Sequence, residues 1–254
     1  MVSVLLDLGR ENWGSYRRDF SDYLDWLKST LNSSIGMKWT MALSGLLLFL
    51  FVVVHLLGNL QLYAGPDKIN DYAEGLRHLG PLLWMARIGL LVLFGAHVVS
   101  AIRLTQLNRS ARPVPYAVVS PQVSGYAARS MLMGGLIVLG FLGYHLAHFT
   151  FGLTHPEQFA LHDAQGRHDV YGMVVLAFRQ PLVAIFYILA MVPLAMHLSH
   201  GVSSAFQTLG ASSPKYNTLL RALGPTVGAI VFIGNVSIPL AVLAGVIPYP
   251  VAGH

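Results

Sequence analysis

The sequence predicts an all-α membrane protein: a bundle of five transmembrane helices preceded by an amphipathic segment. Three observations carry that expectation. Hydrophobic residues make up 54% of the 254 residues and charged ones only 11%, far from the balance of a water-soluble domain. The apolar residues gather into five windows of the length that crosses ~30 Å of hydrocarbon at 1.5 Å per residue. No window shows the alternation of a barrel strand, and a helix satisfies its own backbone groups in lipid.

The elements follow in order. Residues 1–36 form a polar N-terminal cytoplasmic segment with Phe20, Leu24, Leu27 and Leu31 at helical spacing and Arg17, Arg18, Asp19, Asp22 and Lys28 around them. That pattern suits a helix lying on a surface, against the bundle, a partner or lipid. The apolar run begins near residue 37, after this leader, and does not fit a cleaved signal. The membrane domain is residues 37–254, with spans at 38–63, 82–106, 128–153, 179–206 and 222–247. Polar connectors with Pro and Gly separate them.

Lys and Arg set the orientation. Arg10, Arg17, Arg18, Lys28 and Lys38 precede span one; Arg103, Arg109, Arg112 and Arg129 fill the second connector; Lys215 and Arg221 lie in the fourth. The opposite side carries Lys68, Arg77, Arg87, Arg167 and Arg179. The positive-inside rule then places the N-terminus in the cytoplasm and the C-terminus outside, in a bacterial-type inner membrane. An isoelectric point near 9.6 reflects basic loops facing anionic lipid and calls for no nucleic acid.

Four spans each carry a histidine late in the run: His55, His97, His145 and His197. Histidines inside spans face the bundle interior and mark function. Consecutive spans run in opposite directions, so His55 and His145 share the outer level and His97 and His197 the cytoplasmic one. Two neutral imidazoles facing each other in a dry bundle suit the axial ligation of a b-type haem, one per level. Zinc wants three or four ligands around one ion, and the two levels lie well over 10 Å apart by the helical rise. The chain has no cysteine, which excludes disulfides, iron–sulfur clusters and thiolate-ligated haem within it. Spans three and four each hold histidines at i and i+3, His145 with His148 and His197 with His200. One of each pair can be the iron ligand, with His145 and His197 preferred and the others one turn nearer the surface. Gly45, Gly58, Gly95, Gly140, Gly143 and Gly201 lie near the histidines but are equally expected from plain helix packing.

Val54-His55-Leu56-Leu57-Gly58-Asn59-Leu60, Tyr144-His145-Leu146-Ala147-His148-Phe149 and the run from His197 to Gly210 together resemble the cytochrome b membrane anchor of succinate dehydrogenases and fumarate reductases, the single-chain, five-helix, di-haem type. The resemblance covers essentially the whole chain. It implies a bundle around two stacked haems b, the proximal held by His97 and His197 and the distal by His55 and His145. It implies partner subunits that carry the FAD and the iron–sulfur clusters, and a membrane quinone, typically menaquinone, as substrate. The chain would be the quinone-reactive part of the enzyme with no succinate site of its own. Arg103 and Arg129 stand where proximal propionates should emerge, or snorkel as ordinary interfacial arginines. For the quinone, Glu74, Arg77 and His78 cluster in the first outer connector, beside the alternative that this is a solvated loop.

Two other readings share some of these features. The cytochrome b of a hydrogenase or formate dehydrogenase would have the paired histidines without the motifs above. A haem-free transporter would need helix breaks, for which Pro193 and Pro239 are thin evidence. Physiological direction and oligomeric state, a higher oligomer included, are not legible.

Overall fold

The computed structural model describes residues 20–111, 131–211, 213 and 215–249. Residues 20–32 form helix α1, and Ser33 ends it by capping the next, accepting a hydrogen bond from the Gly36 N–H at 3.0 Å. Helix α2 (Ser34–Asn59) tightens into a 3₁₀ segment over Leu60–Ala64, which Gly65 stops at φ 95°. Pro66 opens α3 (Pro66–His78), and Gly80, at φ 53°, turns the chain into α4 (Pro81–Ser110), again with proline in the first turn. Proline is welcome there because its missing N–H would have no helical partner.

Beyond the undescribed connector come α5 (Met131–His145), with a π-helical turn over Leu146–Thr150, and the single turn α6 (Pro156–Phe159). Helix α7 (Val170–Phe178) is capped by Asp169 through the Gly172 N–H at 2.8 Å. Helices α8 (Pro181–Thr208) and α9 (Asn217–Leu243) complete the chain. Among the described residues, five helices are long and apolar enough to cross a membrane: α2, α4, α5, α8 and α9, with α2 and α5 extended by their 3₁₀ and π-helical turns. Each overlaps its sequence window, but the fifth helix runs Asn217–Leu243 where the window is 222–247, and the third ends at Thr150 where the window runs to 153. Residues 128–130 of the third window lie outside the described region, and 179–180 fall to the turn before Pro181. Apolar side chains such as Leu182, 83% exposed, and Leu91, 70% exposed, stand where a soluble protein would bury them, as a lipid-facing surface requires.

The connector between α2 and α4 is a helix, α3, and not the loop its polar composition suggests. Its partner is α7. Asn70, 1% exposed, donates to Asp163 at 3.2 Å and to Asp169 at 3.0 Å, and accepts from the Tyr171 N–H at 3.0 Å. Arg167 reaches Asp163 at 2.7 Å and Asp67 at 2.9 Å and also pairs with Asp71. These contacts tie both connectors into one lid. Beneath it, Leu62, Ile69, Tyr171, Val175, Phe178 and Ile238 form the main buried core.

Helix α8 packs against α2, α5 and α9, and α2 packs against α4. The α8–α9 seam is the closest. A Cβ on Gly224 would come within 1.9 Å of the Ser199 carbonyl oxygen, and one on Gly228 within 2.2 Å of Ser199 Oγ and 2.7 Å of the Ala195 carbonyl oxygen. Glycines four apart on α9 thus meet Ala195, Ser199 and Ser203, four apart on α8. This small-residue registration lets helices approach in lipid, where burial of apolar surface supplies little drive.

Two outcomes are expected. Gly224→Ala should force the helices apart and cost about 1–3 kcal/mol, the range for overpacking, read as earlier thermal unfolding in detergent. The second concerns pH. Burial pushes the Asp163 carboxyl up, but hydrogen bonds from Arg167, Asn70 and the Gln165 N–H outweigh it and hold the group below its ordinary value. A carboxyl depressed in the folded state stabilises fully above its unfolded pKa, ~3.9, and that stability is lost as pH falls through the lower folded value. Hydrogen exchange across 163–171, corrected for intrinsic rate, should therefore be steady only above about pH 6.5, should accelerate below it as His168, whose pKa burial lowers, becomes harder to keep neutral, and should accelerate again below about pH 4 as Asp163 protonates.

Candidate functional site

The four late histidines meet in two pairs. His55 on α2 faces His145 at the end of α5, ring centroids 5.8 Å apart and planes at 88°. His97 on α4 faces His197 on α8 at 6.2 Å and 71°. Neither pair of helices packs closely. Helices α4, α2, α8 and α5 form a ring in which α4–α2, α2–α8 and α8–α5 are the packed sides, so both histidine pairs cross its diagonals.

The levels can be measured from contacts. Gly45, ten residues before His55, lies against His97; Gly135, ten residues before His145, lies against His197. Tyr187, ten residues before His197, meets His145 at 6.1 Å. Ten residues of helix rise ~15 Å, and three helices agree on that separation.

The lid-side level is aromatic. Phe51 stacks on His55 at 5.5 Å, and Phe141, Phe149 and Tyr187 surround His145. The π-helical turn beginning at Leu146 carries His148 away from this pair. His148 is 2% exposed, its Nδ1 lies 3.0 Å from Tyr187 Oη, and its ring stacks on Phe149 at 4.0 Å. His155 approaches it at 4.9 Å. His200, one turn past His197, makes no ring contact among the described residues.

In the second level the His97 Nδ1 lies 3.2 Å from the Met41 carbonyl oxygen and 3.5 Å from Ser44 Oγ. Nδ1 of His145 and of His197 is buried without a partner, so each level holds one orphaned imidazole nitrogen. Burial without a bond costs about 1–3 kcal/mol unless something else takes the lone pair or the proton. Chemically, each pair is suited to a metal ion between two ring nitrogens. With metal–nitrogen bonds near 2.0 Å and a nitrogen roughly 1.1 Å from its ring centre, collinear ligation places centroids about 6 Å apart.

No family model, curated protein or solved structure matches this chain.

The remaining sequence candidates are placed as follows. Glu74 lies 3.9 Å from Arg77 and 3.4 Å from His78, a chain of pairs along α3. Tyr72 on the same helix rests on α2 at Gly58, one turn past His55, which brings α3 to the His55 level. His168 stands beside this group; burial first, then repulsion from Arg77 and His162, lowers its pKa against the pull of Asp169 and Glu74. Arg103 donates to Asn32 Oδ1 at 3.0 Å, fastening α1 to α4 at the opposite end beside a cleft of about 410 Å³. Arg129 lies outside the described residues.

Sequence reasoning missed Tyr187, Gly135 and Asn70. Tyr187 carried the only available signal, a hydroxyl in an apolar run, which in lipid asks for a partner. Replacing Tyr187 by Phe should leave a buried His148 nitrogen without its bond and destabilise the chain by about 1–3 kcal/mol, read by thermal unfolding in detergent. His148→Phe combined with Tyr187→Phe should restore most of that loss.

Proposed function

We propose that the chain is the membrane-anchor cytochrome b of a succinate:quinone oxidoreductase, carrying electrons between an iron–sulfur subunit and a membrane quinone, typically menaquinone. The observation that carries this reading is the pair of imidazole pairs, at 5.8 Å and 6.2 Å, across the diagonals of one bundle. The helices that bear the facing histidines are not close-packed neighbours, an arrangement that suits a macrocycle between them. The donor set fits: two histidines per level, and glycine rather than a bulky side chain beside His97 and His197.

His55 with His145 and His97 with His197 would each hold a b-type haem, which would supply a one-electron couple. The chain's residues set the conditions for it. Aromatic side chains around His145 keep water from the lid-side level, and Gly45 and Gly135 let two imidazoles lie against helix backbones. No carboxylate occurs inside any of the five long helices, so protons for a quinone would have to come from the ends of the bundle. Glu74, Arg77 and His78, at the His55 level, are the titratable groups we assign to the mouth of a quinone site. The orientation that puts α1 in the cytoplasm also puts the His97 level nearest the iron–sulfur subunit, and α1 on the side of that subunit.

The test is a reduced-minus-oxidised spectrum and haem quantification on the complex purified through this chain. Two haems b are expected, with a succinate-oxidising flavoprotein and an iron–sulfur protein alongside. His55→Ala or His145→Ala should remove one haem, and His97→Ala or His197→Ala the other. With imidazole planes at 88° and 71°, both ferric haems should give strongly anisotropic low-spin signals. A complex with hydrogenase or formate dehydrogenase activity would move the chain to that class of cytochrome b. A haem-free preparation would sink the reading.

A further inference from the structure

The two levels are alike in ligand type but not in what stands behind the ligands. His97 alone among the four has a hydrogen-bond partner at Nδ1. It is 3.2 Å from the Met41 carbonyl oxygen, which can only accept, so the proton sits on Nδ1 and the lone pair on Nε2. Ser44 agrees with that tautomer. Its hydroxyl donates to the Thr40 carbonyl at 2.6 Å, leaving an oxygen lone pair toward His97 at 3.5 Å. Ser44 is 3% exposed, so water does not compete for the contact.

The imidazole reaches these acceptors because Gly45 has no side chain. A Cβ there would stand 3.1 Å from Cε1 and 3.3 Å from Nδ1 of His97, tighter than ordinary contact. The Nδ1 and Cε1 atoms of the ring sit in a notch on α2 made by Met41, Ser44 and Gly45. His145 and His197, by contrast, bury Nδ1 with no acceptor.

We infer that this notch is a positioning device: it fixes His97 as the Nδ1–H tautomer and makes it the most electron-donating of the four imidazoles. The inference rests on the two-haem reading above. A donated Nδ1–H gives the ring imidazolate character, raises the basicity of Nε2 and favours ferric over ferrous iron. The His97 level therefore has a lower midpoint potential than an unsupported imidazole would give, while the His55 level has no such support.

The experiment is a potentiometric titration of both haems in the purified holo-complex, with the His97-level component identified by its absence in His97→Ala. Gly45→Ala should lift the ring off Met41 and raise the potential of that haem alone, by ~59 mV for each tenfold loss of ferric preference. Second-shell losses of this kind run to about 10–100-fold in metal affinity or activity. Ser44→Ala, which removes the weaker acceptor and adds no bulk, should shift the same component upward by less, and it decides the matter if Gly45→Ala does not assemble. Two haems with both potentials unmoved in Ser44→Ala and in any assembled Gly45→Ala would overturn the notch while leaving the two-haem reading intact. Absence of haem from the unsubstituted complex would instead refute that reading.

Discussion

Close approach of α8 and α9 through Gly224 and Gly228 fixes the helix on which the rest of the bundle is built. Lipid tails are as apolar as leucine, so two greasy helices gain little by meeting unless their backbones come near enough for dense van der Waals contact. Here a single added methyl group would collide with a main-chain carbonyl of Ser199. Helix α8 so held contacts α2 and α5 on its other sides. It also carries Tyr187 and His197, one residue for each histidine level. A change in the seam would therefore move both levels together.

What α8 organises is a ring of helices whose interior is bridged by two pairs of histidines. The lid end is dense, with Val175 fully buried and Leu62 only 2% exposed, and the polar network of Arg167 and Asn70 closes it. Toward α1 the structure is looser, with an open cleft beside Arg103. Packing is thus tight at one end of the bundle and open at the other.

The sequence made the five spans and the four histidines legible because both are one-dimensional properties: hydropathy along a window, and position within it. The lid was not. Asn70, Asp163, Asp169 and Arg167 come from two connectors about a hundred residues apart, and composition alone reads them as solvated loops. Nor did the glycines of α9 stand out, since glycine is frequent in membrane helices and only the facing Ser199 gives Gly224 its meaning. Spacing also left His148 as a second candidate beside the preferred His145. The π-helical turn at Leu146–Thr150 separates them by sending His148 to Tyr187, and an extra residue in a helical turn leaves no clear mark in hydropathy.

The ten-residue step explains how one helix can serve both levels. At 3.6 residues per turn, ten residues advance ~15 Å and rotate by about 80° short of three full turns. A helix so spaced faces a packed neighbour at one level and its diagonal partner at the other. Gly45 and His55 do this on α2, toward α4 and then α5; Gly135 and His145 on α5, toward α8 and then α2; Tyr187 and His197 on α8, toward α5 and then α4. A step of eleven residues would turn by roughly 20° instead, and both residues would face one neighbour. In three helices the spacing thus fixes the separation of the levels and the diagonal pairing together. Moving a ligand by one residue would rotate it ~100° and aim it out of the bundle interior.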